Sequence, residues 1–303
     1  MSDEIDYLDE DVAYLLGMIA ARGHVTRTAG TYRMQIEVPL SYIKTDKDEE
    51  RHRLVGVLNS IQNRLKGLTG SLPDLSSSDN LVTISYEERE NTILFRDLKM
   101  LMGDSTGYEN FAISKFIFQA SDSIKREFIR GFGDIAGKVR KSNVDQVGRN
   151  RVYLDVLNVN WKLPVQLCNL LQDYLNIPVQ SIIWGHPNLR NKIEEKWSKR
   201  EHQIRVYAED YLKIGFYLDN KETSLEELAA FNSRLTKASK PCVPWKGNRK
   251  TNPAHPDEGN PDLPVELRGK HFDSYKQICI EMGCWRWQDY QNRQSTLSEK
   301  GRL

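Results

Sequence analysis

No apolar run in this chain approaches the ~18 residues that a membrane-crossing helix needs, so a partner membrane is not expected. Cysteine is scarce: four residues, none in a CxxC pair, which excludes a disulfide-stapled scaffold and leaves thiols or metal ligands. Residues 1–11 are acidic, not basic and then apolar, so no secretory or transit leader is read there and a cytoplasmic or nucleoid address is the expectation. Proline (11) and glycine (19) are too few among 303 residues for a collagenous or disordered chain. Charge of one sign is also lacking overall, with 43 Lys/Arg against 42 Asp/Glu. The balance hides a segregation. Residues 138–252 hold 20 bases and 12 acids, and the remainder holds 23 and 30. A local surplus of that kind suits a polyanion, because phosphate neutralisation depends on nearby charge.

What is present is a repeated order of elements. Val12, Leu15, Leu16 and Ile19 form an apolar stripe that predicts a helix over Asp11 to Arg22, with Gly23 as a left-handed stop. His24 to Pro39 reads as a hairpin turning at Ala29-Gly30, Lys47 to Leu68 as an amphipathic helix, and Leu72 to Asn80 as a loop. Leu81 to Asp97 reads as a second hairpin and Leu98 to Gly103 as a short helix. The order then recurs: a helix over Asp122 to Gly137, a hairpin over Lys138 to Leu157 and a helix over Leu163 to Leu175. Strands at Val179 to Trp184 and His202 to Tyr207 follow, then helices at Asp210 to Leu218 and Leu225 to Leu235. Two copies of one pattern predict an α+β pseudo-dimer with its boundary in Gly103 to Glu109.

The helix opening each copy carries a nonapeptide. The first reads Leu15-Leu16-Gly17-Met18-Ile19-Ala20-Ala21-Arg22-Gly23, and the second Ile129-Arg130-Gly131-Phe132-Gly133-Asp134-Ile135-Ala136-Gly137. Both resemble the LAGLIDADG motif of homing endonucleases in the two-motif, monomeric form, and Ile214-Gly215-Phe216 with Lys221 is similar to a late segment of that family. The resemblance implies two pseudo-symmetric αββαββα repeats forming a β-saddle, at 1–105 and 106–238, with a C-terminal extension at 239–303. Small residues at Ala13, Gly17 and Ala20 would let two such helices meet backbone to backbone, whereas Glu127 is bulky for that face.

In active relatives the eighth motif position is an acid that holds Mg²⁺. Here those positions are Arg22 and Ala136. The nearest acid, Asp134, is the catalytic candidate but lies about 200° around the helix and cannot substitute without distortion, so a double-stranded DNA-binding protein without the metal-dependent cleavage is expected. An endonuclease with repositioned acids, and hence Mg²⁺, is the alternative, as is an RNA-splicing maturase that binds structured RNA. The saddle implied by the resemblance would set hairpins in a major groove, which admits a two-stranded ribbon. The candidates for that face are Arg27, Arg33 and Gln35 in the first hairpin and Lys138, Arg140, Gln146, Arg149 and Arg151 in the second, with Arg22 reaching phosphates from its helix end. The second hairpin, with more bases, is expected to contribute more affinity. In the extension, Lys246 and Arg249 beside Trp245 could contact phosphates, and Cys242, His255, His271, Cys279 and Cys284 offer ligands for a structural zinc.

Overall fold

The computed structural model describes residues 7–45, 51–89, 92–141, 149–157, 160, 162–187 and 200–235. Helix α1 (Glu10–Arg22) starts where the Asp9 carboxylate accepts a hydrogen bond from the Val12 amide at 2.8 Å, satisfying a backbone donor that the helix itself leaves open. It runs directly into β1 (Gly23–Thr28), which turns at Ala29-Gly30 into β2 (Thr31–Pro39). Gly30 takes φ 84° there, a left-handed turn conformation that glycine adopts at no steric cost. The first repeat continues through α2 (Leu40–Ile43), α3 (Arg51–Thr69), β3 (Asp74–Ser77), β4 (Leu81–Arg89) and α4 (Ile93–Met102). After α5 (Lys115–Gln119), the second repeat runs through α6 (Asp122–Ala136), β5 (Gly137–Arg140), β6 (Arg151–Leu157) and α7 (Lys162–Asn169), the last extended by a π-helical turn at Leu170–Tyr174. It ends with β7 (Ser181–Pro187), β8 (Arg200–Tyr207), α8 (Ala208–Tyr211) and α9 (Asp219–Ser233).

The molecule is therefore α+β, with two αββαββα repeats, as the resemblance of the nonapeptides implied. Each repeat holds one antiparallel four-stranded sheet, in the orders β1-β2-β4-β3 and β5-β6-β8-β7. Alternation gives each sheet one apolar face, built from Met34, Ile36, Val38, Val82 and Ile84 in the first and Val152, Leu154, Val156, Ile204 and Val206 in the second. Those side chains are buried in the continuous core that includes α1 and α6, each stabilising the fold by roughly 1.5–3 kcal/mol. The segment between repeats lies along the free edge of β1. Val25 donates to the Thr106 carbonyl at 2.8 Å, and the Tyr108 amide donates to the Gly23 carbonyl at 2.9 Å, so this edge is partly covered.

Helices α1 and α6 cross at their motif glycines. A β-carbon on Gly17 would lie 2.0 Å from the Phe128 carbonyl oxygen, and one on Gly131 would lie 2.0 Å from that of Tyr14. Each third motif position thus meets the residue just before the other motif, which is a pseudo-twofold contact. Glu127, bulky for this face, is accommodated because Arg64 of α3 reaches its carboxylate at 2.9 Å while lying 4.0 Å above the Tyr14 ring.

Four elements differ from the sequence reading. The hairpin expected over Leu81 to Asp97 is made instead by β3 and β4, and residues from Ile93 form α4, where Leu94, Phe95, Leu98 and Leu101 recur at helical spacing. Strand β3 is an edge strand with little apolar content, so it carries no period-two signal and reads as a loop. Asp210 to Leu218 is not a helix; α8 is a single turn and α9 one continuous helix. Gly23 has φ −108° and is extended, not left-handed: α1 passes straight into β1, and a β-carbon there would sit 2.5 Å from the Ile19 α-carbon.

Candidate functional site

Arg22, at the C-terminal end of α1, opens a network of charged side chains that links the two repeats. Its guanidinium donates to Glu201 Oε1 of β8 at 2.5 Å and lies 4.6 Å from the centre of the Tyr42 ring. The Tyr42 hydroxyl, on the short helix α2, stands 2.7 Å from Glu201 Oε2 and 3.0 Å from Asp155 Oδ2 of β6. Lys138 Nζ donates to the same Asp155 oxygen at 3.0 Å and sits 3.8 Å above the Tyr42 ring. Gln203 Nε2 donates to Asp155 Oδ1 at 3.0 Å, and Arg205 Nε donates in turn to Gln203 Oε1 at 3.0 Å. Burial works against the Arg22 charge, but Tyr42, Glu201 and Asp155 outweigh it and hold the guanidinium protonated. Burial, then Asp155 and Glu201, push the Tyr42 hydroxyl well above its ordinary range. Two carboxylates thus converge on one hydroxyl, and each is already bound by a cation of the chain itself.

The other eighth motif position, Ala136, is fully buried and offers no ligand atom. Asp134 is buried as well, and both of its oxygens accept hydrogen bonds. Tyr14 Oη donates to Oδ2 at 2.7 Å, the Tyr217 amide to the same atom at 3.1 Å, and the Leu218 amide to Oδ1 at 3.4 Å. The residue expected as a catalytic acid is placed as a tie between α1, α6 and the start of α9. Beside it, Lys221 donates to the carbonyls of Gly133, Asp134 and Gly137 at 3.0, 2.7 and 2.8 Å, closing the C-terminal end of α6. Among the described residues no group of three or more His, Cys, Asp or Glu side chains could hold a metal ion.

The outer faces of the two sheets follow from register. Lys138 is paired with Tyr153, which is paired in turn with Arg205, and Arg140 with Arg151, which is paired in turn with Tyr207, so all six lie on the second sheet's outer face with Asp155, Gln203 and Glu201. Arg205 stacks 5.5 Å from the Tyr153 ring. Arg149, entering β6, lies 3.7 Å over Tyr207 and pairs with Glu209. Arg149 and Arg151 are buried, whereas Arg140 is exposed. In the first sheet Arg33 pairs with Thr26 and Glu87, and Gln35 with His24 and Ser85, on the outer face. Arg27 is opposite Tyr32, which puts it on the other face of the strand from Arg33. Gln146, Lys246, Arg249 and the zinc set Cys242, His255, His271, Cys279 and Cys284 lie outside the described residues.

Two αββαββα repeats, joined by helices that cross at the third glycine of each nonapeptide, are the arrangement the motif implied. The fold is LAGLIDADG-like. Among solved structures, the chain is similar to the N-terminal LAGLIDADG domain of DUF199/WhiA, at 16% identity and TM-score 0.37, over 74% of this chain and 84% of that one. It is similar to the homing endonuclease I-DmoI in complex with DNA and Ca, at 14% identity and TM-score 0.40, over 72% and 97% of the two chains. It is also similar to the LAGLIDADG meganuclease I-AabMI bound to uncleaved DNA, at 15% identity and TM-score 0.39, over 75% and 92%. No family model matches the chain. One curated relative, the protein son of sevenless of Drosophila melanogaster, is 32% identical over 88 residues, which is 29% of this chain and 5% of the relative's length.

The sequence reading missed Tyr42, Tyr153, Asp155, Glu201, Gln203, Arg205 and Tyr207. For the six in β6 and β8 the signal was the interleaving of polar residues with Val152, Leu154 and Val156, and with His202, Ile204 and Val206; Tyr42, on α2, carried no such signal. A strand with one buried face displays its other face in every second residue.

Proposed function

We propose that the protein binds double-stranded DNA through the polar outer faces of its two sheets, as a monomer, and does not cut it by the metal-dependent route of the endonucleases its motifs resemble. The observation that carries the reading is the second sheet's outer face, where Lys138, Arg140 and Arg205, with the buried Arg151 beside them, outnumber Asp155 and Glu201 and are interleaved with Tyr153 and Tyr207. Guanidinium groups stacked on aromatic rings are pre-organised for phosphate and base contacts. An antiparallel ribbon fits the width of a major groove.

The absence of cleavage is supported by the donor set at the end of α1. A divalent cation there would need Glu201 and Asp155 to release Arg22 and Lys138, and it would then sit beside two positive charges. Ala136 adds nothing to a metal, and Asp134 is engaged in the core. These residues do not fit Mg²⁺.

Incubating the full chain with a randomised duplex library and Mg²⁺ or Mn²⁺ tests the reading. The expected result is enrichment of a subset of duplexes with all ends intact. Site-specific ends that vanish with EDTA would overturn the non-cleaving part, and preference for structured RNA at matched salt would replace duplex DNA by the maturase's substrate. A zinc in the extension is tested separately by elemental analysis of protein prepared without chelator, where one equivalent per chain is expected and much less than one ends that reading.

A further inference from the structure

The two outer faces differ in chemistry, and we infer that they divide recognition between them: the second sheet anchors phosphates and the first reads base edges. The inference rests on the DNA-binding reading above and goes beyond it by assigning affinity and specificity to different halves of one chain.

Register sets out the first sheet's outer face. Its charged members are Arg33 and Arg89 against Glu37, Glu87 and Asp74, and Arg33 stands directly opposite Glu87, so its charge is met across the strand pair. The rest of that face is mainly hydroxyl and amide: Thr26, Thr31, Gln35, Thr83, Ser85 and Ser76 occupy successive outward positions. None of those six is buried; the Thr26 hydroxyl donates to the Arg33 backbone carbonyl and the Thr31 hydroxyl bonds to Thr28 and Glu87 within the sheet. Such a face has no electrostatic pull on a polyanion, and three carboxylates oppose one. Its side chains do carry the donors and acceptors that distinguish base pairs in a major groove.

The second sheet has the opposite character. Its outer face has a surplus of bases, of which Arg140 is exposed and Arg205 half-buried against Tyr153. The other polar groups there are largely buried and tied to one another, as Gln203 is to Asp155 and Glu201 is to Arg22. Side chains fixed in such a network are poorly placed to sample base edges. Arg140, which is exposed, and Arg205, which donates to Gln203 and is half-buried, contact phosphates there without regard to sequence. A face with surplus acid enters a groove only when something else holds the duplex, so the two roles require one another.

The test compares two double variants of the full chain against a site selected from the randomised library. Arg140→Ala with Arg205→Ala is expected to weaken binding about tenfold or more and to flatten the log–log salt slope by about 1.8, two contacts at about 0.9 each, with the preferred sequence unchanged. Gln35→Ala with Ser85→Ala is expected to leave that slope as in the parent and to relax preference about fivefold or more at one or two base positions. Thermal unfolding checks that each variant is folded, and Arg140→Gln with Arg205→Gln replaces the first pair if it is not. Equal loss of slope from both pairs, or a changed sequence preference confined to the arginine pair, overturns the division of roles while leaving DNA binding intact. Failure of the parent to bind any duplex at low salt overturns the DNA-binding reading itself.

Discussion

Lys221 and Asp134 illustrate how much of this molecule is decided by single buried charges. Burial raises the Asp134 carboxyl to about 6 against the Lys221 charge, and burial lowers the Lys221 ammonium to about 7 against the Asp134 charge. The signs of the two effects on stability are opposite. For Asp134 the folded state holds a proton that the unfolded chain has lost, so its contribution is full below the ordinary 3.8 and is lost as pH rises through about 6. For Lys221 the unfolded chain holds the extra proton, so its contribution is full above the ordinary 10.5 and is lost as pH falls through about 7. Urea unfolding across pH is therefore expected to show stability falling between about 4 and 6 and rising between about 7 and 10. The Asp134→Asn variant should lose the acid limb. It should also be less stable than the parent by about 1–3 kcal/mol near neutrality, because an amide nitrogen would face backbone donors where a carboxylate oxygen accepts them. An unchanged acid limb in that variant would assign the slope to other groups. Asp134 was legible in the sequence as an acid in a motif helix, but not as a core residue. Its partners Tyr14 and Tyr217 lie 120 and 83 residues away in the chain, a separation no local pattern encodes.

Arg22 permits a second test at this scale. Glu201 and Asp155 already converge on the Tyr42 hydroxyl, and Arg22 contributes the cation beside Glu201. Arg22→Asp would remove that cation and add a carboxylate at the same end of α1. The variant is expected to bind Mn²⁺ in titration calorimetry and to gain thermal stability when the ion is added, with the parent showing neither. A variant that is folded and gives no heat would mean that the three oxygens do not close around an ion.

At the scale of elements, α1 and α6 show why some features were readable. Small residues at helical spacing announce a close crossing, and the crossing follows. Gly17→Ala drives a methyl group to 2.0 Å from the Phe128 carbonyl oxygen, and Gly131→Ala does the same at Tyr14. Backbone cannot yield as a side-chain tip can, so each substitution should destabilise by about 1–3 kcal/mol or more. Gly56, exposed within α3, has nothing within 4 Å of where its β-carbon would be. Gly56→Ala should stabilise by about 0.5–1 kcal/mol, since glycine is a poor helix residue without a packing reason. Chemical denaturation of the three variants separates close approach from helix propensity. Faces were harder to read than helices. Arg27 and Arg33 fall on opposite sides because the two-residue turn fixes the register, and register depends on which residue pairs with which, not on composition. Strand β3 was invisible because an edge strand at the surface needs no apolar residues to be held by its neighbour.

For the whole molecule, the internal repeat was the most legible feature, and the bonds between repeats the least. The repeats are joined by more than the α1–α6 crossing. Arg22 reaches Glu201, Tyr42 reaches Asp155, Arg64 reaches Glu127, and Asn220 Nδ2 donates to the Ile43 carbonyl at 2.8 Å. Tyr14, Leu15, Leu16 and Met18 in α1, and Phe128, Ile129 and Phe132 in α6, are almost completely buried where the two halves meet. A half-chain would expose that apolar surface together with charged groups that have lost their partners, and neither loss is made good within one repeat. The described region should then unfold as one cooperative unit, with the calorimetric enthalpy equal to the van't Hoff enthalpy across it. Residues 1–105 produced alone should not reach a folded state, and should gain one when mixed with the rest of the chain. Two separated transitions, or a half-chain with sharp, dispersed amide resonances, would show that each repeat has a sufficient core of its own. In that case the crossing at Gly17 and Gly131 would orient two domains without holding them folded.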